Sequence, residues 1–227
     1  AAWSYVAGTV MTAGSMACTV PARGAGMQVV EVAMSEGGEM SHSGVQVEYV
    51  AAGSVRSVFP ASGVVAGGTV VTVVGSGFVG GRTACKFGSG EGVAAVVMSS
   101  EEATCVAPAG TRGMSSVEVS TAGNDATAFV SAKQFVYTSE VSVVSVSPSV
   151  GSVDGGTVVS VMANGVEDGG AAWCKMGSVV VASGRSTGGV VECTGVAGIA
   201  GNMTVEVSVN GQDFTEGSGV AVELVTA

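Results

Sequence analysis

VRSVFPASGVVAGGTVVTVVGSGF, at residues 55–78, is the part of the sequence that says most about the fold. Residues 69–74 form a β-branched run, which is typical of a strand because branched side chains pack well on a pleated surface. Glycine pairs stand on both sides of this run, where the chain must turn or bulge. The stretch therefore predicts strands joined by turns.

The same pattern returns along the chain with a period of 87 or 88 residues. Several matched blocks hold this offset, so chance is a poor explanation. A period this long suits a chain of separate domains, each with its own core, better than a common solenoid. The repeating blocks are Pro60 with Gly-Gly-Thr 67–69, Pro148 with 155–157, the cysteines Cys18, Cys105 and Cys193, and the Val-Glu-Val triplets at 30–32, 117–119 and 205–207.

The repeat divides the chain into three predicted parts. Residues 1–53 correspond to the C-terminal half of one unit, residues 54–139 to a complete unit, and residues 140–227 to a divergent copy. Each complete unit holds about seven short alternating or β-branched segments between turns, which is the strand count of an immunoglobulin-like sandwich. The predicted fold class is all-β, as tandem immunoglobulin-like β-sandwiches.

The alternation of apolar and polar residues also gives approximate strand positions. In the middle unit the strands are predicted near 54–59, 69–75, 83–88, 93–98, 103–107, 115–121 and 129–138. In the last unit they are predicted near 142–147, 157–163, 172–176, 178–182, 190–194, 203–209 and 218–225.

The middle unit resembles the IPT/TIG family of immunoglobulin-like domains. The resemblance rests on the stretch at 55–78, on Cys85, on the Cys-x-x-Pro motif at 105–108 and on the closing Phe-Val-Tyr at 135–137. The last unit has Val196 in place of the motif's proline and lacks the closing aromatic pair. The resemblance implies tandem early immunoglobulin-like domains, as in cell-surface receptors, large extracellular proteins, some transcription factors and starch-acting enzymes.

Four of the five cysteines form two pairs with similar spacing inside the two complete units. Cys85 and Cys105 are 20 residues apart, and Cys174 and Cys193 are 19 residues apart. Such repeated spacing is typical of disulfides in an exported protein. Four buried free thiols are the alternative, and a zinc site is disfavoured because the chain has one histidine and no Cys-x-x-Cys motif.

Cys18 stands at the position equivalent to Cys105 and has no partner of its own in residues 1–53. We expect it to be unpaired, paired with another chain, or paired with residues outside this sequence. A buried free thiol and a partner outside the sequence are the two favoured interpretations.

Three further residues are candidates for modification or interaction. Asn202 begins the sequon Asn-Met-Thr and is predicted to lie in a loop before a strand, where it is a candidate N-glycosylation site. Trp3 and Trp173 occupy similar sequence contexts beside a predicted strand. Each is interpreted either as packing or as an exposed aromatic that stacks on a sugar or a neighbouring chain.

The sequence contains no recognisable catalytic set. His42 is the only histidine and lies in a polar segment, so no Ser-His-Asp triad and no histidine metal site is expected. The carboxylates are scattered, whereas calcium needs six to eight oxygens in one ordered loop. We therefore expect no enzyme activity, no metal and no cofactor.

Charge and hydropathy exclude two kinds of partner. Lysine and arginine number 8 against 18 acids, which gives a net charge of −10 and no basic face for nucleic acid. The least polar stretch, residues 63–81, is interrupted by glycines in a β pattern, so no membrane span is expected in this segment.

The leading functional hypothesis is a structural and interaction segment of a larger extracellular or cell-surface protein. Low charge and short joins between units favour a semi-rigid spacer or assembly module in a filament, appendage or wall. Its expected partners are copies of itself, neighbouring chains and glycans. The competing hypotheses are a ligand-binding receptor or adhesion ectodomain and the accessory region of a carbohydrate-active enzyme.

Overall fold

The computed structural model describes residues 4–123 and 129–226, and within these ranges the regular secondary structure is β-strand. The chain forms two compact units, residues 1–52 and residues 53–227. The predicted all-β, immunoglobulin-like fold class is confirmed.

Unit 1, residues 1–52, contains two antiparallel strand pairs. Strands β1 (Gly8–Thr12) and β2 (Ser15–Cys18) form one pair, and β3 (Gly26–Val29) and β4 (Gln46–Tyr49) form the other. No residue described between 4 and 52 is buried. The described part of unit 1 therefore has strands but no closed core.

The middle sandwich packs a four-stranded sheet, in the order β10-β11-β7-β5, against a five-stranded sheet, in the order β6-β13-β12-β8-β9. The apolar positions of the alternating strands face inward, so that Val71 and Val73 on β7 and Val117 and Val119 on β12 are fully buried. The strands are β5 (Ser54–Phe59), β6 (Ser62–Val64), β7 (Val70–Ser76), β8 (Ala84–Phe87), β9 (Gly92–Ala94), β10 (Val96–Val97), β11 (Glu102–Val106), β12 (Gly113–Ser120) and β13 (Val130–Thr138).

The strand predicted at 93–98 is wrong in one respect, because the chain crosses between the sheets in the middle of it. Residues 92–94 pair with β8 in one sheet, whereas residues 96–97 pair with β11 in the other. Ala95 lies between them and donates its amide hydrogen to the carbonyl of Thr83. Alternation alone predicts one strand here, since it does not reveal a change of partner.

The last sandwich packs a three-stranded sheet, in the order β14-β16-β19, against a five-stranded sheet, in the order β15-β21-β20-β17-β18. Its hydrophobic core consists of its own residues, as does that of the middle sandwich. The strands are β14 (Ser142–Ser147), β15 (Val150–Ser152), β16 (Val158–Asn164), β17 (Ala171–Met176), β18 (Val179–Arg185), β19 (Val190–Thr194), β20 (Gly201–Ser208) and β21 (Ala221–Val225).

The two cores differ in the size of three side chains. In the middle sandwich Phe87, Phe135 and Tyr137 stack edge to face, with ring centroids 5.3 and 5.1 Å apart. Register shows that Leu224, opposite Gly201, corresponds to Tyr137, opposite Gly113. Phe87 and Phe135 are likewise replaced by methionine and valine, at Met176 and Val222, and a small apolar pocket lies beside these smaller side chains.

A disulfide joins the two sheets of each sandwich. Cys85 on β8 is bonded to Cys105 on β11, with Cα atoms 6.3 Å apart. Cys174 on β17 is bonded to Cys193 on β19, with Cα atoms 5.9 Å apart. All four side chains are buried, so each bond is part of a core.

Candidate functional site

The candidate site is a turn of the last sandwich, residues 210–213, which contacts the middle sandwich. The side chain of Asn210 organises the turn, because its Oδ1 accepts hydrogen bonds from the amides of Gln212 (3.0 Å) and Asp213 (2.8 Å). Ser208 Oγ donates a third hydrogen bond to the same oxygen, over 3.0 Å. Gly211 supplies a φ of +76°, which costs little for a residue without Cβ.

Two side chains of this turn bond to the middle sandwich. Asn210 Nδ2 donates to the carbonyl oxygen of Ser62 over 2.9 Å, and Thr69 Oγ1 donates to Asp213 Oδ2 over 2.6 Å. Asn210 Nδ2 also donates to Asp213 Oδ2 over 2.8 Å, so the two contacts share one network. We call these four residues, Ser62, Thr69, Asn210 and Asp213, the clasp.

The burial of two clasp residues restricts how the two sandwiches can be arranged. Thr69 is fully buried and Asn210 is 6% exposed, so water is excluded from much of the network. A buried polar group that loses its partner carries its full desolvation penalty, and a carboxylate accepts stronger hydrogen bonds than a neutral group. The clasp therefore favours one arrangement of the two sandwiches over arrangements that leave these groups unpaired.

Two aromatic side chains of the last sandwich lie beside the turn. A Cβ atom placed on Gly211 would lie 3.3 Å from Cε2 of Trp173, so the turn passes directly over the indole ring. Phe214, which follows the turn, lies with its ring centroid 5.7 Å from Nζ of Lys175. Lys175 also forms an ion pair with Glu206, 2.7 Å apart.

A second contact between the sandwiches is an ion pair at the surface. Arg112 Nη2 lies 2.7 Å from Glu167 Oε1, and Ser186 Oγ donates a hydrogen bond to the carbonyl of Glu167. Both charged side chains are about two-thirds exposed, at 64% and 68%, so solvent screens their attraction. This pair contributes little compared with the clasp, in which Thr69 and Asn210 are buried.

The predicted interaction residues lie in different settings. Trp173 is half-buried beneath the clasp turn, whereas Trp3 lies outside the described residues. Asn202 is exposed, but it lies inside strand β20, opposite Glu223 on β21, and the predicted loop position is wrong. Strand β20 begins two residues before the predicted start, because Gly201 already pairs with Leu224.

Cys18 is a free cysteine with an exposed side chain. The expectation of a buried free thiol is therefore wrong, because none of residues 4–52 is buried. A disulfide between Cys18 and another chain, or between Cys18 and residues outside this sequence, stays a prediction.

A tyrosine hydrogen bond connects the Cys-x-x-Pro motif to the end of the same domain. In the middle sandwich Tyr137 Oη donates to the carbonyl of Pro108 over 2.9 Å. In unit 1, Tyr49 Oη donates to the carbonyl of Pro21 over 3.0 Å. Burial raises the pKa of Tyr137 above its ordinary value of 10.0. In the middle sandwich the bond joins the segment after β11 to the final strand, β13. In unit 1 it joins the segment after β2 to β4.

Sequence alone offers no means of pairing the members of the clasp. An Asn-Gly turn at 210–211 is predictable, because asparagine side chains hydrogen-bond to the backbone two residues on. Ser62 and Thr69, however, are 148 and 144 residues away from their partners. One sequence without a structure contains no signal that joins residues this far apart.

The part of the chain that the structure describes shows no group of three histidine, cysteine or acidic side chains able to hold a metal ion. Within the same residues no helix has the length and apolar character needed to cross a bilayer. His42 lies in an exposed loop with a φ of +49°.

The two described sandwiches, each with an inter-sheet disulfide, define a protein with immunoglobulin-like domains in tandem. Residues 54–137 match the family model described as IPT/TIG domain. The resemblance inferred from the opening glycines, the Cys-x-x-Pro motif and the closing tyrosine is thereby confirmed.

The chain is similar to several solved structures at low sequence identity. The extracellular region of plexin A4, domains 1 to 10, is 18% identical, with a TM-score of 0.52, and the match covers 82% of this chain and 17% of that one. A second plexin A4 extracellular structure is 19% identical, covering 76% and 18%, with a TM-score of 0.47. SGBP-B from a xyloglucan utilization locus in Bacteroides uniformis is 20% identical, covering 76% and 49%, with a TM-score of 0.29. No curated protein matches the sequence.

Proposed function

We propose that this chain is a non-catalytic structural and interaction segment of a larger extracellular or cell-surface protein. In this role it acts as a semi-rigid spacer or assembly module in a filament, appendage or wall. The observation that carries the proposal is the clasp, in which Asn210 and Asp213 of one sandwich bond to Ser62 and Thr69 of the other. A spacer needs such a contact, because a flexible join transmits neither direction nor load.

Export is supported by the two disulfides. Disulfides persist in oxidising compartments and are rare in the cytosol. In this chain each one crosses the core of its sandwich, and each closes a loop of about 20 residues. The likeness of the fold to the extracellular region of plexin A4 and the exposed sequon at Asn202 support the same compartment.

The open edges of the sheets support contacts with copies of itself or with neighbouring chains. Strands β5 and β14 lie at the edges of their sheets, in equivalent positions. An edge strand is a template on which another chain can add a strand through main-chain hydrogen bonds. Phe59, at the end of β5, is 73% exposed and gives such a contact an apolar anchor.

The experiment that tests export is peptide mass spectrometry of natively isolated protein, with and without reduction. The expected result is Cys85 linked to Cys105, Cys174 linked to Cys193, and a glycan mass on the peptide that contains Asn202. Reduced thiols at all four cysteines in native material would contradict export. If both disulfides are found but the peptide that contains Asn202 carries no glycan mass, only the proposed glycosylation of Asn202 is rejected.

A second candidate function is a ligand-binding receptor or adhesion ectodomain. The likeness of the fold to the plexin A4 extracellular region favours it, because loops at the ends of immunoglobulin-like sandwiches often bind ligands. The two functions differ in what the 210–213 turn does. In the spacer this turn holds the neighbouring sandwich, whereas in a receptor the equivalent loops must be free to meet a ligand.

A further inference from the structure

Unit 1 has the strand pairing of the second half of the middle sandwich. Thr9 pairs with Ala17 in unit 1 as Val96 pairs with Thr104, 87 residues later. At the other end of the unit, Gly26 pairs with Tyr49 as Gly113 pairs with Tyr137. The tyrosine-to-proline hydrogen bond is also present in both. Residues 4–50 thus correspond to residues 91–138, with one residue more in the middle sandwich.

The face that forms the core of the middle sandwich is open in unit 1. Ala103, Cys105, Val117 and Val119 are at most 1% exposed in the middle sandwich. Their counterparts 87 residues earlier lie in residues 4–52, none of which is buried. The counterparts are Met16, at 40% exposure, Val32, at 44%, Val30, which is half-buried, and Cys18, which is exposed.

The middle sandwich shows what covers this face. There β7 pairs with β11 in one sheet and β8 pairs with β12 in the other, and both strands come from residues 54–90. Their buried side chains belong to the same core as Ala103, Cys105, Val117 and Val119, so each strand extends one sheet and packs on the other. In unit 1 the described sheets are two-stranded, so the places of β7 and β8 beside β2 and β3 are open. Cys18 stands where Cys105 receives its disulfide from Cys85 on β8. The open apolar face of unit 1, the free edges of β2 and β3, and the thiol of Cys18 therefore all indicate one missing partner, a segment equivalent to residues 54–90.

We propose that unit 1 is completed by the front half of a third sandwich, joined to it in sequence as residues 54–90 are joined to residues 91–138. This segment supplies strands like β5 to β8 and a cysteine at the position of Cys85. The occupant covers the open face and forms a disulfide with Cys18. The two thiols lose two protons and two electrons to a disulfide oxidant, which is reduced to two thiols as the new S–S bond forms.

The disulfide in this proposal rests on the proposed export, whereas the docking of the strands does not. The test uses the full chain with a second copy of residues 54–90 joined directly to Ser4. After refolding in a glutathione redox buffer, two quantities are compared with the unmodified chain. They are the rate at which a maleimide labels Cys18 and the amide hydrogen exchange of β2 and β3.

The expected result is that Cys18 becomes resistant to labelling, that peptide mapping links it to the added cysteine, and that exchange in β2 and β3 slows at least tenfold. A matched chain carries Cys85→Ser in the added copy only. It should keep the slow exchange and lose the disulfide, which separates docking from oxidation. Because the native middle sandwich is unaltered in both chains, its own exchange reports whether the protein is folded.

Unchanged labelling of Cys18 and unchanged exchange in β2 and β3, with a folded middle sandwich, would overturn the proposal. A dimer of the unmodified chain in which Cys18 is already protected would also overturn it, because the occupant would then be a second copy. Failure of export is seen separately, as reduced cysteines in native material.

Discussion

Thr69 Oγ1 donates a hydrogen bond to Asp213 Oδ2 over 2.6 Å, although the two residues are 144 positions apart in the sequence. Thr69 begins the β-branched run of the middle sandwich, and Asp213 closes a turn of the last one. The bond thus connects residues near the start of one domain to a loop of the next. It is one of the contacts that join two sandwiches with separate cores.

Replacing Asn210 by alanine should destabilise the unit of residues 53–227. The substitution removes the donor to Ser62 and the acceptor that organises the turn, and leaves buried polar groups unsatisfied. The expected loss is about 1–3 kcal/mol in the free energy of unfolding, measured by urea denaturation. Gln212→Ala is the matched control, because its exposed side chain lies in the same turn, and it should change stability by less than about 0.5 kcal/mol. Equal effects of the two substitutions would contradict the role of the clasp.

Replacing Tyr137 by phenylalanine should cost about 1 kcal/mol at pH 7, because the hydrogen bond to Pro108 is lost. The variant should also change the dependence of stability on pH. Burial raises the pKa of Tyr137 in the folded state, so the folded state holds the phenolic proton more tightly than the unfolded state.

The contribution of this tyrosine is therefore fully present below the unfolded pKa, near 10, and is lost as pH rises through the folded value. Urea denaturation between pH 8 and pH 11 measures it. The Tyr137→Phe variant should lose less stability over this interval than the unmodified chain. If the free energy of unfolding depends on pH identically in both proteins, burial does not raise the pKa of Tyr137.

Replacing Phe135 by alanine should destabilise the middle sandwich by about 3–5 kcal/mol, because its ring is fully buried between two other aromatic rings. The corresponding substitution in the last sandwich, Val222→Ala, should cost about 2 kcal/mol because it removes less apolar area. Hydrogen exchange resolved by peptide assigns each loss to its own sandwich. A loss that spreads equally over both cores would contradict their separation.

Replacing both Cys85 and Cys105 by alanine should destabilise the middle sandwich by about 3 kcal/mol, on the loop-entropy estimate for a loop of about 20 residues. The disulfide between Cys174 and Cys193 closes a loop of nearly the same length, so its removal should have a similar effect on the last sandwich. Differential scanning calorimetry of the two variants provides the comparison. Unchanged melting of both variants would show that the disulfides do not support the fold.

The parts of the fold that depend on local pattern are predictable from the sequence. The β-branched run after Gly68 forms β7, and the Val-Glu-Val triplet at 117–119 lies in β12, because alternation and branching act within a few residues. The short strands β6 and β15 are not predicted, because each is three residues long and pairs in parallel with the last strand of its sandwich. Parallel pairing over about 70 residues leaves no local signal.

Much less of the candidate site is predictable. Asn210 and Gly211 indicate a turn, but the partners of Asn210 and Asp213 depend on how two domains meet. One further sequence signal does mark the register of the sheets. Gly26, Gly113 and Gly201 repeat at the offset of 87 and 88 residues, and each has a φ near +130° opposite the closing residue of its unit.

If the clasp holds the two sandwiches in one orientation, residual dipolar couplings of backbone amides will report that orientation in solution. In the full chain at neutral pH, the couplings of residues 54–123 and 142–225 should fit a single alignment tensor. In the Asn210→Ala variant the two sandwiches should require tensors of different magnitude. Separate tensors in the unmodified chain, or a single shared tensor in the variant, would contradict the claim.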